Sequence, residues 1–552
     1  MTKNRISFIA LMFLAVAGMI VACTNPFKDL EISVNSNVFK NVVNLEVSSS
    51  IGGTSLDNAT VVITGPDADK IYNAEGKKIF KITGGFLFLA VDPNIVVNEQ
   101  APLNINVAIA AANHLGVQMP VKITGSEKIT MRKVVLLNTT AASSEMAVKS
   151  TSVALSADGT PAANITVNIP PPSGSSESAT VMIPAGTQFR DANNNVVSGT
   201  DLKVSLIVPK TGSESLADIF PGGTGLTQPA VQTASGTSAG TLLPGGMSEV
   251  SFSLNGTAIT NFSKPVDLGI TLDPEFMHPG TGQKVKSGDK LSVFSFSANN
   301  PIWKHEQEAV VQSSGNKLTV NFSSSHATWF LAGNLIESCN DGLKIKLTAD
   351  WLKNGVTHPV TVKVFSGIGG SADKLLVQKN ITATDGSELS FDDLPQAPVI
   401  VKTFDADGNR LSETAIADPC NGVVQTINLA ASPVAGNPKT TMQLYVRCPN
   451  QAQRVNVLPT FYLYYKIHGQ TGFKLLGIVT NGYISTTLLD PAKKYDFKAV
   501  WGSTVKEAND VTVKVDNTAT VGDNPAGGEI LGTKAGATNL ELLKEKCKEA
   551  GL

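Results

Sequence analysis

Short runs of alternating apolar and polar residues, broken by Gly, Pro or Asn, recur along most of the chain. They commit it to β-sheet, because strict alternation places one set of side chains on one face of a strand. "NVVNLEVSSS", "NATVVITG" and "LNINVAIAA" carry the pattern near the start, and "LKIKLTADWL" and "HPVTVKVFSG" carry it further on. In "APVIVKTFDADGNRLSETAI" a strand, a D-G turn and a second strand follow one another, a strong hairpin signal. No stretch shows the alternating strand and helix pattern of a cofactor-binding α/β fold, and no cofactor is expected.

At 552 residues the chain has room for several domains. Apolar residues make up 42% and charged residues 16%, enough hydrophobic material to argue against global disorder. Net charge is −2, which gives no electrostatic case for binding nucleic acid. The expected fold is all-β, with several β-sandwich domains in tandem and one short C-terminal helix. The helix is read from "TNLELLKEKCKEAGL": Thr538 and Glu541 have capping-box spacing, and Leu540, Leu543 and Cys547 share a helix face.

The N-terminus supplies the address. Lys3 and Arg5 precede an apolar run from Ile6 to Ala22, and Cys23 follows directly. The run is short for a membrane span, and the order of basic, apolar and small residues is that of a secretory signal. Ile20-Val21-Ala22-Cys23 resembles a bacterial lipobox. That resemblance implies cleavage before Cys23, diacylglyceryl attachment to its sulfur and N-acylation, and two or three acyl chains anchor a protein stably in a bilayer. Lys28-Asp29-Leu30-Glu31 loosely resembles the charged export tract of Bacteroidota surface lipoproteins, which implies an outer-membrane, surface-exposed location.

An exported chain works where disulfides persist. With Cys23 acylated, Cys339, Cys420, Cys448 and Cys547 remain, and four cysteines allow three pairings. Cys339 and Cys420 bracket one strand-rich segment and Cys448 and Cys547 the next, so pairing within each segment is the expectation. No Cys or Cys/His spacing suggests zinc, and no metal is expected.

Domain boundaries follow composition. Residues 1–22 read as the signal peptide and 23–31 as a lipidated tether. Residues 32–137, with "GPDADKIYNAEGKKIFKITGGFLFLAVDPN", resemble a small extracellular Ig-like sandwich. Residues 138–336, with "VMIPAGTQFRDANNNVVSG", a later tryptophan strand and a closing His-containing strand, resemble ZU5-like β modules. Inside this unit, residues 222–246 ("GGTGLTQPAVQTASGTSAGTLLPGG") are biased to Gly, Ser and Thr and read as a long flexible loop. Residues 337–433 form another sandwich. Residues 434–552 contain "TTLLDPAKKYDFKAVW", which resembles the fibronectin type III domain; the resemblance implies that Tyr495 forms a tyrosine corner.

Candidate chemistry is thin. Gly236-Thr237-Ser238-Ala239-Gly240 matches G-x-S-x-G, but a nucleophile elbow needs a strand before it and a helix after it. Asp405-Ala406-Asp407-Gly408-Asn409 begins like a calcium loop, yet position 12 is Ile416, which cannot ligate. The six histidines are scattered. His326-Ala327-Thr328 stands where some ZU5-related domains cut themselves at His-Phe-Ser, so a self-cleaving scaffold at Ala327-Thr328 is the alternative to a non-enzymatic protein, beside a hydrolase with a dispersed site. Six of the seven tyrosines lie between Tyr445 and Tyr495. In the strand from Phe461 to His468, alternation sends Phe461, Leu463, Tyr465 and Ile467 inward and Tyr462, Tyr464, Lys466 and His468 outward. Outward aromatic rings suit a glycan or a surface protein, and packing against neighbouring strands is the competing explanation. The expected function is binding or adhesion by a lipid-anchored cell-envelope protein without enzymatic activity.

Overall fold

The computed structural model describes residues 31–521, apart from 36–38, 40, 74–75, 126–128, 224, 297–300, 340, 369–373, 431–435, 448–453 and 502–503. The fold is all-β. Helical structure among the described residues is confined to short turns at Ala68–Lys70, Leu216–Ile219 and Asp350–Leu352. Two compact units divide the chain: residues 39–435 with 502–505, and residues 436–501 with 506–552 and 1–38.

The larger unit opens with a four-stranded sheet, in the order Ile71–Tyr72, Phe86–Val91, Val42–Ser49, Ile129–Leu136. It shares a core with a three-stranded sheet of Thr60–Thr64, Leu103–Ala110 and Val117–Ile123. Leu103–Ala110 shows why: Leu103, Ile105, Val107 and Ile109 are buried while their alternating neighbours are more exposed.

A 13-stranded sheet follows, spanning residues 146–337. Strand Trp303–Ser314 carries its ladder from one half to the other, pairing with Lys290–Phe296 along its first part and with Lys317–His326 along its last. Phe189, Phe252 and Phe262 pack edge to face or tilted in its core, at centroid separations of 5.1–6.5 Å.

The segment expected as a flexible loop, 222–246, is instead mostly strand. Thr227–Thr233 and the 19-residue strand Gly236–Leu254 form a hairpin, with Thr233 and Gly236 paired across a two-residue turn. Glycine here serves close packing rather than mobility. The ladder with Trp329–Glu337 shifts register between Pro244 and Gly246, where proline has no N–H to give. A Cβ on Gly245 would lie 2.5 Å from the Phe276 ring, and one on Gly246 2.7 Å from the Ile270 side chain.

Residues 343–428 build two further sheets. Leu343–Thr348 lies between Glu388–Phe391 and, in parallel, Val424–Asn428. The other sheet runs Leu375–Ala383, His358–Ser366, Val399–Phe404, Arg410–Ile416. Its last two strands are the expected hairpin. At the turn the Asp405 carboxylate accepts from the amides of Asp407 and Asn409, both at 2.8 Å, and Gly408 takes φ +80°. One continuous cluster of buried residues runs from Leu137 to Leu429, so the 13-stranded sheet and these two share a core. Asp218, on the helical turn, ties three parts of the unit together, accepting from Lys133 Nζ at 2.9 Å and from Gln378 Nε2 at 2.6 Å.

In the smaller unit, Thr440–Arg447 pairs with Arg454–Leu458, Tyr483–Thr486 and Asp516–Val521. A four-stranded sheet runs Lys474–Val479, Phe461–Ile467, Lys494–Trp501, Thr504–Thr512. Residue 32 was expected to open an N-terminal sandwich with the residues that follow it. Strand Glu31–Asn35 instead lies parallel to Arg454–Leu458, with Glu31 opposite Arg454 and Asn35 opposite Leu458. Tyr495 is buried, and its hydroxyl accepts the Asp490 amide at 2.8 Å, the local back-bond expected of a tyrosine corner.

Candidate functional site

Cys23, Cys448 and Cys547, with the segments expected as signal peptide and C-terminal helix, lie outside the described residues. Cys339 and Cys420 form a disulfide, with their Cα atoms 5.0 Å apart and the two residues 81 positions apart in sequence. Ser238 lies within the strand of the 227–254 hairpin, not on a strand-to-helix turn. Thr328 donates its hydroxyl to the Phe296 carbonyl, while the ring of His326 meets Ser324 Oγ at 3.2 Å and Glu306 at 3.9 Å. The two members of that pair therefore engage different partners.

The expected aromatic face requires correction. Tyr462 and Tyr464 are both buried, at 6% exposure, as are Phe461, Leu463 and Tyr465 on the alternate positions. Phe461–Ile467 is a central strand with neighbours on both edges. Lys498 lies 4.8 Å from the centre of the Tyr464 ring, and Lys466 and Lys498 lie 5.0 and 5.2 Å from Phe473. Lys466 and His468 contact Asp496 at 3.2 and 2.7 Å. Burial pushes the Asp496 carboxyl up, but the His468 bond, the Asp510 amide and Lys466 outweigh it and hold it at about 2.

The larger unit contains what the sequence did not announce. A partly open cavity of about 220 Å³ lies between the sheet edge at Leu115–Val117, the segment Asp218–Gly223 and the strand pair formed by Glu249–Phe252 and Ala327–Trp329. Phe220, Phe252, Phe296 and Trp329 line it. So does Glu249, which is 4% exposed and has one hydrogen bond, from Ser251 Oγ at 3.3 Å. Burial raises its carboxyl to about 8, against the small opposing effect of Ser251. Lys133 and Asp218, also in the lining, neutralise each other at 2.9 Å. Alternation puts Val250, Phe252 and Leu254 on one face and Glu249, Ser251 and Ser253 on the other, which from sequence alone reads as solvent. The cover comes from several separate segments, Leu115–Val117, Asp218–Gly223 and Ala327–Trp329, which the pattern around Glu249 does not reveal.

A second buried charge group lies in the same unit. Lys374 is buried, donates from Nζ to the Pro244 carbonyl at 2.5 Å and lies 5.1 Å from the centre of the Phe276 ring. Burial lowers its ammonium to about 8, with Asp273 and Glu177 opposing. Glu177, raised by burial, accepts from the Thr211 amide and from Ser175 Oγ, both at 2.9 Å. The Lys374 bond to the Pro244 carbonyl ties the lysine to the strand at its register shift. Among the described residues no group of three or more His, Cys, Asp or Glu side chains is placed to hold a metal ion.

No protein-family model matches the chain, and no curated protein matches it. Among solved structures it is similar to the TIE protein of Bacillus anthracis, at 12% identity over 69% of this chain and 58% of that one, with a TM-score of 0.13. It is also similar to a candidate adhesin from Bacteroides ovatus (15% identity, 31% of this chain, 78% of that one, TM-score 0.13). A streptococcal ancillary pilin shares 10% identity over 43% of this chain and 92% of that one, with a TM-score of 0.14. The chain thus spans under two thirds of the Bacillus anthracis protein. At these values the likenesses say nothing about what the chain binds.

Proposed function

We propose that this is a lipid-anchored protein of the bacterial cell envelope, exposed at the outer-membrane surface, that binds a glycan or a surface protein and catalyses no reaction. The observation that carries the reading is the Cys339–Cys420 disulfide, formed in a chain whose own N-terminus ends an apolar run on a lipobox-like Ile20-Val21-Ala22-Cys23. Disulfides persist outside the cytoplasm, and a thioether-linked lipid would tether the chain there. The all-β architecture supports the reading more weakly, since a fold hosts many functions. Self-cleavage at Ala327-Thr328 draws no support from the geometry, because the Thr328 hydroxyl is turned to a carbonyl.

The test is mass spectrometry of the N-terminal peptide together with membrane fractionation of cells expressing the chain and a Cys23→Ala variant. The expected outcome is a diacylglyceryl-modified, N-acylated Cys23, membrane-bound parent chain and detergent-independent release of the variant. An unmodified Cys23 in a full-length soluble chain overturns the proposal.

A further inference from the structure

We propose that the cavity bounded by Glu249 and by Phe220, Phe252, Phe296 and Trp329 is a binding site for a small organic cation of the alkylammonium class. Three observations lead there. First, the cavity is the size of a small molecule: about 220 Å³ is room for roughly seven waters at about 30 Å³ each. Second, its lining is mostly apolar and includes four aromatic side chains, whose ring faces attract cations. Third, its acid is uncompensated. Lys133 is already paired with Asp218, and no cation among the described residues contacts Glu249, so an ionised Glu249 has only the Ser251 hydroxyl to stabilise it. A buried carboxylate without a partner is costly, and a cation entering the cavity supplies the missing charge.

The same geometry fixes a pH dependence. The titratable groups around Glu249 are few. Its cross-strand neighbours Ile207 and Trp329 do not ionise, Lys133 and Asp218 are mutually paired, and His326, two residues from Thr328, is shifted down by burial against the opposing pull of Glu306. With its carboxyl at about 8, Glu249 is protonated in the empty cavity at lower pH and must lose that proton for a permanent cation to bind. Affinity for such a cation therefore falls by roughly fifty-fold from pH 8 to pH 6.

Choline is a suitable probe, because its trimethylammonium group does not titrate, and 3,3-dimethylbutan-1-ol matches it in shape without the charge. Saturation-transfer NMR on the full chain in detergent, at pH 8 and pH 6, reads both. The expected result is choline binding at pH 8 that weakens at pH 6, with the uncharged isostere weaker by about tenfold or more. Glu249→Gln, which keeps the shape of the side chain, is expected to abolish the preference for choline and the pH dependence. Equal binding of the two probes to the parent chain overturns the proposal and leaves a merely apolar cavity. Absence of choline binding overturns it as well. The comparison of probes on the parent chain needs no variant to fold, and neither result bears on whether Cys23 is lipidated.

Discussion

Removing the Cys339–Cys420 disulfide gives a magnitude that follows from the chain itself. The bridge closes a loop across 81 residues, and in the chain-entropy picture it removes about 15 cal/mol/K from the unfolded chain, about 4.5 kcal/mol at 25 °C. The neighbouring structure explains why the native state needs little else from it. The Cys339 amide already bonds the Leu394 carbonyl at 2.8 Å, and Ser338 bridges to Pro395, so the backbone around one sulfur is held independently. The double variant Cys339→Ala/Cys420→Ala should keep the native ladders and lose stability mainly through a freer unfolded chain. Hydrogen exchange in the full chain isolates the effect by region. Amides of Leu343–Thr348 and Val424–Asn428, the parallel pair just beyond the two cysteines, should lose up to about 2,000-fold in protection, the equivalent of about 4.5 kcal/mol. Amides of Lys494–Trp501, in the other unit, should change little. A loss below about tenfold in the parallel pair, or an equal loss in both regions, refutes the reasoning.

Two further outcomes follow from packing and charge. Gly245→Ala places a methyl 2.5 Å from the Phe276 ring and should cost about 1–3 kcal/mol in thermal or denaturant unfolding, with partial recovery in Gly245→Ala/Phe276→Leu. The Asp496 carboxyl, at about 2 in the folded chain against an ordinary 3.8, binds its proton later than in the unfolded chain. Its contribution to stability is therefore complete above about pH 4 and lost as pH falls towards 2, and Asp496→Asn should remove that portion of the acid transition monitored by circular dichroism.

Much of the architecture was legible because β-strands write their faces at a period of two. Leu103–Ala110 shows it directly, and the D-G turn at Asp407-Gly408 announced its hairpin. The cysteines at 339 and 420 were legible as brackets, and Tyr495 through its surrounding run. What failed did so where a local pattern had to be completed by a distant partner. Composition made 222–246 look mobile, yet at Gly245 and Gly246 Phe276 and Ile270 come too close for a side chain. Alternation divided Tyr462 and Tyr464 from Leu463, but it cannot report that both faces of a central strand are covered. Glu249 was invisible for the same reason: its polar-looking face is roofed by segments from elsewhere in the chain. Strand Glu31–Asn35 gave no hint that its partner lay over 400 residues away.

That last pairing sets the timetable of assembly. A polypeptide made from its N-terminus delivers Glu31–Asn35 early and Arg454–Leu458 late. The opening strand must wait, edge unsatisfied, while nearly everything in between emerges and folds, and the sheet that receives it is sealed only when the tail arrives. Truncations near the C-terminus should thus strand the very beginning of the chain, and the module built last is the one whose sheet holds the strand that follows Cys23.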